Sequence, residues 1–211
     1  MKKGTIIFIV IAIIALVIML TVGISLLYVQ NADYDFYKTV PPAEAILRSK
    51  VVDTAERWLG AAEEDGSHKP IIDLYNSHEP LAQGYTVQYD DEWCATFVSA
   101  VAIECDITDI IPTECGCQRQ IGLFEELDSW EEADDYKPLP GDIIYYCRSD
   151  KSGSADCTGW ADHVGIVVGT AGNFIKVIEG NYGDQVKYRY ISVDDPIIRG
   201  YAIPDYGSVA E

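Results

Sequence analysis

His163-Val164-Gly165-Ile166-Val167-Val168-Gly169, a break at Thr170 to Gly172, and then Asn173-Phe174-Ile175-Lys176-Val177-Ile178-Glu179 decide how this chain folds. Two runs rich in β-branched residues on either side of a short turn read as a β-hairpin. A turn centred near Ala171, or on the Ala171-Gly172 bond, pairs residues whose numbers add to 342 or 343. His163 then lies opposite Glu179 or Gly180. Glu179 and Asn181 share parity, so an extended chain presents both on one face, beside the imidazole, with opposed Cβ atoms about 5 Å apart. One register thus delivers a base and two groups able to orient it.

Beyond the hairpin, the period of two recurs. Leu139-Pro140-Gly141-Asp142 introduces a strand at Ile143 to Cys147, and Lys187 to Val193 and Ile198 to Pro204 follow the hairpin. Upstream the period is helical. Ala43, Leu47, Val51, Ala55 and Leu59, with Ile46 and Trp58 filling in, predict an amphipathic helix over 43–60 stopped by Gly60, its stripe packing in the core. His68 and His78 flank a short apolar stretch and read as surface residues. Helices first and an antiparallel sheet second make the fold class α+β.

The segment Asp90-Asp91-Glu92-Trp93-Cys94-Ala95-Thr96-Phe97-Val98 carries the chemistry. Acidic residues before small and apolar ones place Cys94 in the first turn of a buried helix, with the carboxylates capping it or facing solvent. N–H groups and the dipole at that end favour a thiolate, the reactive form of cysteine. A thiol, an imidazole and a polar third group are what nucleophilic acyl transfer requires. Gln88, together with the Cys94 backbone N–H, is a candidate donor to an oxyanion.

At the N-terminus, Gly4 to about Ala32 is apolar and uncharged, longer than the roughly 20 residues a membrane-spanning helix needs. No small-residue cleavage site follows it. Residues 1–30 therefore read as a cytosolic stub and transmembrane anchor, spanning at 5–29, with 31–42 a stalk and 43–211 one domain. Lys2 and Lys3 precede the run, and Asp33, Tyr34, Asp35 and Tyr37 follow it, so the N-terminus stays cytoplasmic and the domain lies outside. The 211-residue chain carries 15 Lys and Arg against 34 Asp and Glu, a formal charge of −19. Nucleic acid is excluded as a partner, since no cationic cluster exists to meet phosphates.

Export favours disulfides among the six cysteines. Cys147 and Cys157 bracket a Ser/Gly/Asp loop, where a bridge contributes about 2 to 3 kcal/mol in the loop-entropy model. Cys105, Cys115 and Cys117 offer a second bridge, which leaves Cys94 and one more thiol free. C-x-C without a second close pair fits zinc poorly, so no metal and no cofactor is expected.

Trp93-Cys94-Ala95-x-Phe97-Val98, Pro140-Gly141-Asp142-Ile143, Asp162-His163-Val164-Gly165-Ile166-Val167 and Ile178-Glu179-Gly180-Asn181, in that order over about residues 80 to 205, resemble the CHAP family of amidases and peptidases. The resemblance implies a papain-like fold of the CHAP and NlpC/P60 type, with Cys94 as nucleophile, His163 as base, and Glu179 and Asn181 as its polar partners. It implies cleavage of an amide bond in peptidoglycan, either between sugar and stem peptide or within the peptide. The NlpC/P60 group typically has Asp-Cys-Ser where this chain has Trp93-Cys94-Ala95. Gly84 to Glu92 lacks the alternating aspartates of the calcium loop found in some CHAP domains. The competing reading is a catalytically silent module that docks on the cell wall or on an envelope partner.

Overall fold

The structure, a computed structural model, describes residues 39–148 and 157–210. The expected anchor at 5–29 lies outside the described residues, as does most of the loop between Cys147 and Cys157. No helix among the described residues is long and apolar enough to cross a membrane.

Pro42 opens helix α1 (Pro42–Arg57), its fixed φ suited to the first helical position. The face that α1 buries differs from the expected stripe: Ala45, Arg48, Val51, Val52, Thr54 and Ala55 turn inward, while Ile46 is 70% and Leu59 45% exposed. Residues spaced strictly by four drift about 40° per step around a helix, so one such row cannot stay on one face over four turns. Arg48 settles the orientation. Its guanidinium reaches Asp142 Oδ1 and Glu44 Oε1, both at 2.7 Å, and the Pro140 carbonyl at 3.1 Å.

Helix α2 (Lys69–Asn76) buries Ile71, Ile72 and Tyr75. His68, expected at the surface, is instead 2% exposed: its ring lies 5.6 Å from that of Trp93, and its nitrogens meet the carbonyls of Ala62 and Tyr89 at 3.1 and 2.9 Å. His78 is half-buried. Helix α3 (Cys94–Cys105) is buried from Cys94 to Ala102, enclosed by α1, α2 and the sheet. Helix α4 (Cys117–Glu126) follows.

Six strands form one antiparallel sheet: β1 (Trp130–Glu131), β2 (Ile143–Tyr146), β3 (His163–Ala171), β4 (Phe174–Glu179), β5 (Lys187–Ser192) and β6 (Ile198–Ala202), in the order β1-β6-β2-β3-β4-β5. The fold is α+β, as the sequence predicts; the short β1 has no signal in the sequence. Tyr145, Val164, Ile166 and Ile178 face the helices, while Ile144, Tyr146, Val167 and Val177 form a second apolar cluster behind the sheet. A last short helix, α5 (Tyr206–Val209), closes onto the start of β2, where the Tyr206 hydroxyl donates to the Gly141 carbonyl at 2.7 Å.

The hairpin register corrects the expectation. Strand β3 runs on to Ala171, which pairs with Phe174, so the turn is Gly172-Asn173 and the paired numbers add to 345. An irregularity between Val167 and Gly169 removes one residue, and Ile166 pairs with Ile178. Carried on, that register sets Glu179 opposite Gly165, with His163 one diagonal away on the same face.

Cys147 and Cys157 are disulfide-bonded, their Cα atoms 6.0 Å apart. The second bridge does not form: Cys94, Cys105, Cys115 and Cys117 are free thiols. Cys105 ends α3, with its sulfur on the Thr54 hydroxyl at 3.3 Å, whereas the Cys117 sulfur meets Cys94 at the opposite end of that helix.

Candidate active site

Cys94 is the first residue of α3, and Trp93 before it is the N-cap. None of the upstream carboxylates caps the helix. Asp91 accepts from the Gln88 N–H at 2.7 Å and the Tyr85 hydroxyl at 2.8 Å, and Glu92 accepts from Asn181 Nδ2 at 2.9 Å. All three carboxylates are thus occupied elsewhere or exposed, away from the sulfur. Trp93 is fully buried and donates from Nε1 to Glu63 at 2.9 Å, anchoring the helix start. The first N–H groups of a helix have no partner within it, so the Cys94 amide is available to an incoming oxyanion.

His163 heads β3 at the rim of the sheet, 1% exposed, its ring stacked 5.9 Å from that of Tyr146. Its Nε2 lies 2.9 Å from Glu179 Oε2. The acid reaches the ring across Gly165. A Cβ at that position would stand 2.7 Å from Glu179 Cγ and 2.6 Å from Val177 Cγ1, so only glycine leaves the diagonal path open. Gly180 solves a similar problem on the other side, where a side chain would strike the ring of Phe97 at 2.7 Å and that of Trp93 at 3.0 Å and push α3 off the sheet.

Glu179 is fully buried and doubly held. Arg189 on β5 gives Nε to Oε1 at 2.5 Å and Nη2 to Oε2 at 3.0 Å. Burial pushes this carboxyl up, but His163 and Arg189 outweigh it and hold it below the usual carboxylate range. An anionic oxygen only accepts hydrogen bonds, so Nε2 carries the hydrogen. Nδ1 has no hydrogen-bond partner and is the free nitrogen.

The Cys94 sulfur lies 3.6 Å from the Cys117 sulfur. A hydrogen bond from the Cys117 thiol is the largest effect on Cys94; burial opposes it, His163 reinforces it, and the Cys94 thiol ends well below its ordinary value. Cys117 moves the other way, raised by that same contact and by burial. Burial lowers the His163 imidazole, but the neighbouring Cys94 and Glu179 more than offset this and raise it. The three groups therefore favour one charge state, thiolate beside imidazolium beside carboxylate.

The structure thus draws Cys94, His163 and Glu179 into one unit. It does not bring Asn181 to the imidazole, because the Asn181 amide is turned to Glu92. Gln88 is exposed, and its Nε2 donates to the Thr86 carbonyl at 2.6 Å. Two members escaped the sequence reading. Arg189 sits opposite Val177, two residues from Glu179 on the same face, and its one signal is a cation alternating with Tyr188 and Tyr190. Cys117 reads in the sequence only as a candidate for the second disulfide, and nothing local places it beside Cys94. Residues 84–181 match the family model of the CHAP domain.

That match covers 98 of the chain's 211 residues. No curated protein matches the chain. Among solved structures, the crystal structure of Ly7917 is similar at 13% identity and a TM-score of 0.42, over 74% of this chain. The chain spans 62% of that structure's length. Arg189 and the α1 anchor Arg48 lie outside the matched residues, whereas Cys117 lies within them.

Proposed function

We propose that this chain is a membrane-anchored peptidoglycan hydrolase that cuts an amide bond by nucleophilic catalysis in a papain-like fold, as an N-acetylmuramoyl-L-alanine amidase or a peptide endopeptidase. A CHAP domain supports amidase or peptidase activity on peptidoglycan. The observation that carries the finer reading is the buried hydrogen bond of His163 Nε2 to Glu179 at 2.9 Å together with Cys94 at the first position of α3, where Cys117 and His163 hold its thiol below the ordinary value.

The thiolate attacks the carbonyl carbon, and the developing oxyanion takes the Cys94 backbone N–H. His163 Nδ1 gives its proton to the leaving amine and then draws one from water, which hydrolyses the thioester. Glu179 holds the ring and stabilises its positive form without taking the proton. Asn181 acts one step back, tying the end of β4 to the loop that carries Cys94 through Glu92. The uncharged run at 5–29 supplies the anchor, with the N-terminus cytoplasmic and the domain outside. A strongly anionic enzyme gains no attraction to an anionic wall, so tethering rather than charge brings it to substrate.

The full chain in detergent micelles should clear a peptidoglycan suspension, and Cys94→Ala should not; equal clearing by both overturns the proposal. Mass spectrometry of the released muropeptides identifies the severed bond. One observation favours the docking alternative, namely that Cys94 is only 5% exposed. Iodoacetamide separates the two readings: the enzyme's thiol reacts faster than a model thiol near neutral pH, and a docking module's does not.

A further inference from the structure

Cys117 has no place in the hydrolytic steps, yet the fold builds it into position. Cys94 and Cys117 are the first residues of α3 and α4, so the N-terminal ends of two helices meet at their sulfurs. The connecting segment is fixed from several sides. Ser99 Oγ donates to the Glu114 carbonyl at 2.7 Å and accepts the Glu114 N–H at 2.9 Å. Glu114 Oε1 receives the Cys115 N–H at 2.7 Å and the Gly116 N–H at 3.2 Å. Gln120, one turn on, holds the Pro112 carbonyl at 2.9 Å and accepts the Tyr145 hydroxyl at 2.9 Å. A buried thiol held this way against a nucleophilic sulfur is more than packing.

We propose that Cys117 is a resolving thiol, and that the Cys94–Cys117 pair is an oxidation site at which a hydroperoxide converts the nucleophile into a reversible disulfide. The inference rests on the reading of Cys94 as the nucleophile. The Cys94 thiolate attacks one peroxide oxygen, the O–O bond breaks, and hydroxide leaves with a proton as water, so that sulfur is oxidised to a sulfenic acid and peroxide is reduced. Cys117 then attacks the sulfenic sulfur, the S–S bond forms, the S–O bond breaks, and the departing hydroxide takes the Cys117 proton as a second water. The balance is two thiols and one hydrogen peroxide to one disulfide and two waters. The sulfurs start 3.6 Å apart, so they close by about 1.5 Å to reach the ordinary bond length.

Burial selects the oxidant. At 5% and 8% exposure, Cys94 and Cys117 admit a molecule the size of peroxide more readily than a bulky disulfide. Once formed, the bond removes the nucleophile and also protects it, because a sulfenic acid without a resolving partner goes on to irreversible sulfinic and sulfonic acids. Cys105 cannot substitute, since its sulfur is engaged with Thr54 at the far end of α3.

The test uses the full chain in detergent, reduced, treated with hydrogen peroxide and mapped by mass spectrometry without reduction. The expected product is a Cys94–Cys117 cross-linked peptide that disappears with dithiothreitol. In parallel, peptidoglycan hydrolysis should drop about tenfold or more on oxidation and return on reduction. For Cys117→Ser, with activity referred to its own starting value, peroxide inactivation should not be reversed by dithiothreitol, and Cys94 should be found as sulfinic or sulfonic acid. Over-oxidised Cys94 beside a free Cys117 in the wild-type chain, or Cys94 linked to Cys115 or Cys105, overturns the proposal. So does full recovery of Cys117→Ser. If that variant does not fold, the wild-type map decides alone. A cross-link formed by a reduced chain that never cut peptidoglycan upholds the thiol pair and overturns the hydrolase reading.

Discussion

Two buried carboxylates each face an arginine, Asp142 just ahead of β2 and Glu179 at the end of β4, and their remaining partners differ in kind. Asp142 accepts from Arg48 at 2.7 Å, from the Tyr136 hydroxyl at 2.7 Å and from the Leu139 N–H at 2.8 Å. Every partner is a fixed donor, and the cluster binds α1 to the start of β2. Glu179 accepts from Arg189 twice, but its remaining partner is an imidazole whose second nitrogen is unoccupied. An acid saturated by permanent donors is a rivet, whereas one that shares a titrating ring with a thiol is a candidate site. Burial and an arginine do not distinguish them; the nature of the third partner does.

Substitutions should separate the clusters. The largest effect is expected for His163→Ala, which removes the proton carrier and should lower kcat of peptidoglycan hydrolysis by about 10⁴-fold. A fall of less than tenfold would erase the distinction. Next is Arg48→Ala, which leaves Asp142 buried and uncompensated and should cost about 3 to 5 kcal/mol of unfolding free energy. Urea unfolding measures that cost, and the molecules that remain folded should keep their turnover. Loss of turnover without loss of stability would make Asp142 part of the site.

Glu179→Gln keeps the shape but removes the charge that raises His163. It should lower kcat by about 10²-fold and alter the pH profile in a definite direction. In the wild type, kcat/KM should rise with pH as Cys94 loses its proton, well below the ordinary thiol value of 9.0, and should fall as His163 loses its proton, above the ordinary 6.5. Without the carboxylate the imidazolium is less stable, so the alkaline limb should move to lower pH; an unmoved limb would show that Glu179 does not govern the ring. The smallest change is Gly165→Ala. One methyl group in the path of the Glu179 side chain should cost about 1 to 3 kcal/mol of stability and reduce kcat, and unchanged values of both would refute the close-approach account.

The sequence exposed those features that depend on neighbours along the chain. Periodicity located α1 and the hairpin, and the change from acidic to small residues put Cys94 in the first turn of α3, whereas α2 and α4 were not foreseen. Of the two registers the sequence allows, the sum of 342 puts His163 and Glu179 on one face, and the observed sum of 344 at that end of the hairpin keeps them there, because a shift of two moves the partner along the strand without turning it over. What stayed hidden depends on partners far along the chain. Arg48 reads as a surface cation until Asp142, in a loop 94 residues later, is seen to meet it. Arg189 and Cys117 likewise gain meaning only when β5 and α4 close on the site. His68 looked exposed because its burial comes from Trp93 and two loop carbonyls, none of them adjacent to it.

The guanidinium fork on Glu179 has a consequence for motion. With both oxygens gripped, the carboxylate cannot follow the imidazole if the ring turns over about its Cβ–Cγ bond, and such a turnover would strand a buried N–H. The ring is therefore confined to a single orientation and, when neutral, to a single tautomer. In solution it should give one sharp set of nitrogen resonances, with no exchange between mirror placements of its lone pair.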